Sequence, residues 1–110
     1  MENFLKSISA INDETRVLIL KFLLINGKSC VCEFESSFEM TQSRLSRHLK
    51  ILKEAGFLSV MREGTWAYYY IKERSKLQEN LLNEIKNLNL NTPKKINACE
   101  IKEIKGKKCS

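Results

Sequence analysis

Cys30 and Cys32 stand two residues apart in a chain of 110 residues that holds four cysteines, the others being Cys99 and Cys109. Thiolates are soft ligands that select soft ions. In a reducing compartment, neighbouring cysteines serve more often as ligands or reactive thiols than as disulfides. Small buried hydrophobes are the competing reading, because free cysteine is among the most buried residue types. Four cysteines could also fill a tetrahedral zinc site, although Cys-x-Cys is not the usual spacing of zinc ligands. The residues alone therefore indicate a soft-ion or thiol-based site and leave its occupant open.

Catalysis has little support. There is no Cys-x-x-Cys and no glycine-rich phosphate loop, and one histidine with scattered acids makes no acid–base constellation. Residues 1–11 contain Glu2, Asn3 and Lys6 and so lack the apolar core of a secretory signal. The longest apolar stretch, residues 17–25, is interrupted by Lys21 and falls short of the roughly 20 residues that cross a bilayer. These features predict a cytosolic protein with no membrane association.

Lysine and arginine total 19 against 13 acidic residues, a net charge of +6. Residues 92–110 hold six lysines and two glutamates, or +4, which leaves +2 for residues 1–91. Such a balance permits a polyanionic partner without naming one. The division predicts one folded domain over 1–91 and a basic, cysteine-containing tail over 92–110. That tail is either disordered or folds when its cysteines find a ligand.

The elements that must position these groups follow from periodicity and capping. Phe4, Leu5, Ile8 and Ile11 predict a short helix over 2–9. Asn12 or Asp13 can cap a second helix that runs to Asn26-Gly27 and presents a broad apolar face to the core. Phe34 and Phe38, four apart, predict a short helix over 30–39 whose first turn contains or adjoins Cys30 and Cys32. Thr41 then caps a clearer helix over 42–55, with Leu45, Leu49 and Leu52 inward and Gly56 as its stop. Aromatic and β-branched residues on both sides of Glu63-Gly64 predict a hairpin of 58–62 and 65–71. Leu77, Leu81, Leu82, Ile85 and Leu88 mark a last helix over 75–89, and Pro93 marks the end of order.

Two helices joined by a tight turn and followed by a hairpin form a winged helix-turn-helix plan, mainly α with a small β-hairpin. In that plan the second helix enters the major groove. Between Thr41 and Ala55, Arg44, Arg47, Lys50 and Lys53 face a single Glu54, or +3. Gln42, Ser43 and Ser46 add side chains that can reach bases or phosphates. His48, on this cationic helix, is expected at phosphate or at the rim of the groove and not at a metal. Arg62 is the candidate wing contact to the DNA backbone or minor groove. Trp66 and the tyrosine run are expected as scaffold. The stripes of the first and last helices suit a homodimer, since two-fold operators are read by two-fold proteins.

These residues together carry a strong resemblance. The chain resembles the ArsR/SmtB family of metal- and metalloid-sensing repressors over about residues 3–90. The matching segments are Asp13-Glu14-Thr15-Arg16, Ser29-Cys30-Val31-Cys32-Glu33-Phe34, Gln42-Ser43 with Ser46-Arg47-His48-Leu49, Ala55-Gly56-Phe57-Leu58, and Arg62-Glu63-Gly64 with 68–71. The resemblance implies a homodimer that represses its own resistance operon and leaves double-stranded operator DNA when As(III), or often Sb(III), binds. It places inducer ligands at Cys30 and Cys32, and base or phosphate contacts at Gln42, Ser43, Arg44, Ser46, Arg47 and His48. The wing falls at 62–64.

Two departures stand out. The arsenic branch often carries a third cysteine where this chain has Glu35, a hard carboxylate. The zinc and cobalt sensors use aspartate and histidine on the last helix, and residues 75–89 contain neither. Because As(III) favours three thiolates, Cys99 or Cys109 from either chain is the expected third ligand, with a small cellular thiol as the competing source. Zinc, cadmium or thiol oxidation is the alternative signal. Residues two apart on a helix point about 200° apart. A single ion bridging Cys30 and Cys32 is therefore expected to unwind or tilt the start of the 30–39 helix, and so to misplace Arg44 and Arg47.

Overall fold

Side-chain caps set the starts of three of the five described helices. In the computed structural model, which describes residues 2–72 and 75–94, the elements are α1 (Glu2–Ile11), α2 (Glu14–Asn26), β1 (Ser29–Cys30), α3 (Val31–Phe38), α4 (Gln42–Ala55), β2 (Leu58–Glu63), β3 (Trp66–Ile71) and α5 (Lys76–Asn87). Asp13, Thr41 and Ser75 cap α2, α4 and α5 by accepting from the backbone N–H three residues on. Gly56 ends α4 in a left-handed conformation, φ 98°, that a side chain would resist. The expected tail, 92–110, lies outside the described residues from 95 onward, and with it Cys99 and Cys109.

The core forms around α2, as its broad apolar face requires. Ile19, Leu20, Phe22 and Leu23 are buried against Leu45, Leu49 and Leu52 of α4 and against Phe34, Phe57, Leu82 and Ile85. Each such side chain contributes about 1.5–3 kcal/mol when fully buried. Phe22, Phe34 and Phe38 form a triad with ring centroids 5.3–6.1 Å apart, and this triad fixes α3 against α2. The i, i+4 spacing of Phe34 and Phe38 thus does the work that periodicity assigns to it. Leu88 departs from its expected stripe: it follows the last turn of α5 and is exposed.

A two-residue turn, Gly64-Thr65, closes the β2–β3 hairpin, with Glu63 opposite Trp66 and Leu58 opposite Ile71. The sheet has a third strand that periodicity could not reveal. β1 pairs antiparallel with β3, Ser29 opposite Tyr69 and Cys30 opposite Tyr68, so the order is β1-β3-β2. Two residues are too few to show alternation. Their pairing makes β3 the central strand, which is why all six of its residues are half-buried.

The same strand corrects the expected start of α3. Cys30 is not in the first helical turn: it is the N-cap, with extended backbone at φ −92° and ψ 166°, while Cys32 is helical. The angular argument that places their side chains about 200° apart holds only when both residues are helical, and here one is not.

Candidate nucleic-acid interface and thiol pair

Helix α4 divides cleanly into two faces. Leu45, Leu49 and Leu52 are buried, while Gln42, Ser43, Arg44, Ser46, Arg47 and Lys50 are exposed. A three-residue turn, 39–41, joins α3 to α4, and Glu39 in it adopts φ 52° and ψ 49°, the left-handed conformation that lets α4 depart at an angle. The N-terminal half of α4 therefore packs through Leu45 and Leu49 while presenting exposed donors and positive charge to solvent. Arg62 is exposed on β2, two residues before Gly64, at the tip of the wing. The neighbouring Glu63 is tied down, since its carboxylate pairs with the ammonium of Lys28, which also sits 5.1 Å from the Tyr68 ring centroid. The wing tip is thus tied to Lys28, the residue just before the strand that holds Cys30.

His48 is half-buried beside this face. Its Nδ1 lies 3.3 Å from Nη1 of Arg16 on α2. Burial, opposed by Asp13 and assisted by Arg16, Arg44 and Arg47, holds its pKa below the ordinary 6.5. Asp13 shows the opposite balance. Burial pushes its carboxyl up, but the Arg16 backbone N–H and the Arg16 charge outweigh that and keep it below 3.8. Arg16 was part of the motif legible in the sequence, yet no role could be assigned to it there.

Cys30 and Cys32 meet. Their Sγ atoms are 3.3 Å apart, in contact but well beyond the roughly 2.05 Å of a sulfur–sulfur bond. Both are buried, at 0% and 2% exposure, with Trp66 and Tyr68 of β3 packed against them. Glu33, itself buried, accepts the Cys30 backbone N–H at 3.0 Å and so locks the N-cap geometry that turns Cys30 toward Cys32. An ion about 2.3 Å from each sulfur would span this 3.3 Å gap at an S–ion–S angle of about 92°, whereas a tetrahedral ion needs sulfurs about 3.8 Å apart. The expectation that one ion cannot bridge them without unwinding the helix is therefore overturned. Among the described residues no group of three cysteine, histidine or acidic side chains is placed to hold a metal, so Glu35 does not complete a site. The two aromatic residues against the sulfurs were legible only as scaffold, because the β1–β3 pairing that brings them there leaves no periodic signal.

Comparison with known proteins identifies the family and the fold. The family described as bacterial regulatory protein, arsR family, matches residues 13–60, from the α2 cap into β2. An HTH-type transcriptional regulator of Methanocaldococcus jannaschii is 42% identical over 89 residues, covering 74% of this chain and 100% of its own length. An arsenical resistance operon repressor of Bacillus subtilis is 38% identical over 73 residues, covering 66% of this chain and 70% of its own. Among solved structures, the homodimeric winged helix-turn-helix DNA-binding domain of a possible ArsR-family regulator from Mycobacterium bovis superposes with a TM-score of 0.63. It is 25% identical and covers 77% of this chain and 76% of its own.

Proposed function

The chain belongs to the ArsR family of transcription regulators, which are not enzymes, and from that premise we propose that it is a metalloid-responsive repressor. Two copies bind operator DNA through α4 and the wing, and As(III) or Sb(III) held by Cys30 and Cys32 releases them. The observation that carries this reading is the 3.3 Å contact between two buried sulfurs at the start of α3, the helix whose far end leads through the turn into α4. Its span suits a pyramidal ion better than a tetrahedral one. The arsenical repressor of Bacillus subtilis supports the same inducer class.

The contacts to DNA are Gln42, Ser43, Arg44, Ser46, Arg47 and His48 from α4, with Arg62 from the wing. Bases are read by the exposed amide and guanidinium groups, and phosphates fix the register. The dimer uses α1, whose Phe4 and Leu5 are 50% and 57% exposed and whose Ile8 is exposed beside them. An apolar stripe of this kind gains by burial in a second copy, and the Mycobacterium bovis domain is homodimeric.

Release follows from burial and not from sulfur separation. The pair is already close enough to chelate, but Trp66 and Tyr68 cover it. A three-coordinate ion must also admit a third thiol, from Cys99, Cys109 or a small cellular thiol. Making room displaces β3 or the start of α3, and these carry the wing and the turn into α4. A shift of a few kcal/mol between DNA-competent and incompetent states suffices for release.

The test is retention of duplex DNA from upstream of the protein's own gene, under reductant, titrated separately with As(III), Sb(III), Zn(II), Cd(II) and, without reductant, peroxide. Release by As(III) and Sb(III) at the lowest concentrations is expected. Release by Zn(II), Cd(II) or peroxide alone would assign the thiol pair to a different signal.

A further inference from the structure

Arg16, its side chain only 14% exposed, joins two helices through its guanidinium. Its Nε donates to Ala10 O at 2.6 Å and its Nη2 reaches Ser9 O at 3.5 Å, both at the end of α1. Its Nη1 faces His48 Nδ1 on α4 at 3.3 Å. A guanidinium has only donors and stays protonated. His48 Nδ1 must therefore be the accepting, unprotonated nitrogen, and the ring hydrogen sits on Nε2. Burial and the surrounding arginines favour this neutral ring near pH 7, with Asp13 alone pulling the other way.

The same residues line a cleft. Asp13, Arg16, Arg44, Arg47, His48 and Ile51 enclose about 450 Å³ between the start of α2 and the N-terminal half of α4. The lining holds three guanidinium groups and one carboxylate, a net +2. That carboxylate is already engaged, accepting the Arg16 N–H at 3.2 Å and lying 3.9 Å from Nη1. Only Ile51 is apolar, so the cleft suits a compact anion. It is continuous with the exposed Arg44 and Arg47 of the DNA-facing helix, and the anion available at that position is a backbone phosphate.

We propose that this cleft holds one DNA phosphate at the edge of the groove, with Arg44 and Arg47 supplying charge and His48 supplying a neutral Nε2–H donor whose direction Arg16 sets. Arg16 is then a positioning residue, tying the end of α1 and the recognition helix to one nitrogen of the ring. The proposal rests on operator binding by α4 and adds to it a site that reaches beyond that helix.

The experiment compares wild type with His48→Asn, Arg44→Ala and Arg47→Ala on the upstream duplex and on a random duplex, across a salt series. His48→Asn is expected to weaken both duplexes alike, by about tenfold, as loss of one hydrogen bond to a charged group does. A neutral donor releases no counterion, so the slope of log K against log salt should not change. Each arginine variant should reduce that slope by about one. A fall of about one in the His48→Asn slope would mean a charged contact, and a loss of operator preference would mean base reading. Unchanged affinity would mean no contact. Each of these overturns the proposal.

A second measurement needs no variant. Nitrogen-15 NMR of the wild-type imidazole at pH 7.5 should show the neutral Nε2–H tautomer, free and on DNA. The Nδ1–H tautomer or a charged ring overturns the assignment. Inorganic phosphate that perturbs the ring as strongly as the duplex does would indicate a free-anion site and would overturn the DNA assignment. Wild type that binds neither duplex refutes the operator reading itself, an outcome distinct from binding that His48→Asn leaves untouched.

Discussion

Replacing Cys30 or Cys32 singly by serine should cost almost as much inducer response as replacing both. The reasoning starts from the 3.3 Å contact between the sulfurs. Once one thiolate has captured the ion, the second binds it intramolecularly, and no chain rearrangement is needed to bring it there. Linking two binding groups in this way raises affinity by about 10²–10⁴-fold over either alone, and groups held in contact belong near the upper end. Each single serine variant should therefore shift the As(III) concentration for half-release of the operator upward by about a thousandfold or more. The double variant should add little, because the intramolecular gain has already gone. Serine is close in size to cysteine and both positions are buried, so folding is checked by thermal unfolding and by duplex affinity without inducer, which should stay near wild type.

The assay is fluorescence anisotropy of labelled upstream duplex in the presence of reductant, titrated with As(III). Two results would refute the argument. A single variant that releases within about threefold of wild type would show that the pair does not chelate. Release of wild type by Zn(II) at lower concentrations than As(III) would contradict the spacing, since a tetrahedral ion must open the pair by about 0.5 Å to reach its preferred angle.

Three further outcomes are expected. Trp66 is the only tryptophan and packs against the sulfurs, so As(III) should change its emission in wild type and leave it unchanged in the double serine variant; steady-state fluorescence checks this. Gln78 on α5 is buried and donates to Ser7 Oγ at 3.1 Å and to Ala55 O, at the end of α4, at 2.6 Å. Gln78→Met keeps the volume but strands these acceptors, and should cost about 2–3 kcal/mol in denaturant unfolding. His48 has a folded-state pKa below its unfolded value, so the unfolded chain binds its proton more readily. Its contribution is present in full above about pH 6.5 and is lost as pH falls through the folded pKa. Thermal midpoints between pH 5 and 7.5 should fall less steeply with acid in His48→Asn, whereas Asp13 contributes to acid loss only at still lower pH.

The fold was largely legible because its helices announce themselves locally. Asp13, Thr41, Gly27 and Gly56 are residues whose own chemistry starts or stops a helix, and α2 and α4 begin or end at them. The exposed donors of α4 were equally legible, since a stripe of three leucines dictates which residues face outward. What escaped was every feature created by pairing between distant segments. β1 spans two residues and exists only because β3 offers it hydrogen bonds. Arg16 and His48 are 32 positions apart, and nothing in either neighbourhood indicates that they touch.

The thiol pair shows why such features matter for the mechanism. A helix model of residues 30–39 separates the sulfurs and makes chelation itself the source of strain. Pairing of Cys30 with Tyr68 turns its backbone extended, and Glu33 fixes that turn by accepting the Cys30 N–H. The sulfurs then meet at no cost on binding, so the strain must come from what lies over them. Trp66 and Tyr68 belong to the strand that carries the wing, and Lys28 ties the same wing back through Glu63 and the Tyr68 ring. Opening the site to a third ligand therefore acts on the wing as directly as on the turn into α4. On the proposed reading, inducer and operator are coupled through the β1–β3 ladder, so Trp66→Ala should weaken As(III)-driven release of the duplex, read by anisotropy, while leaving the sulfurs adjacent.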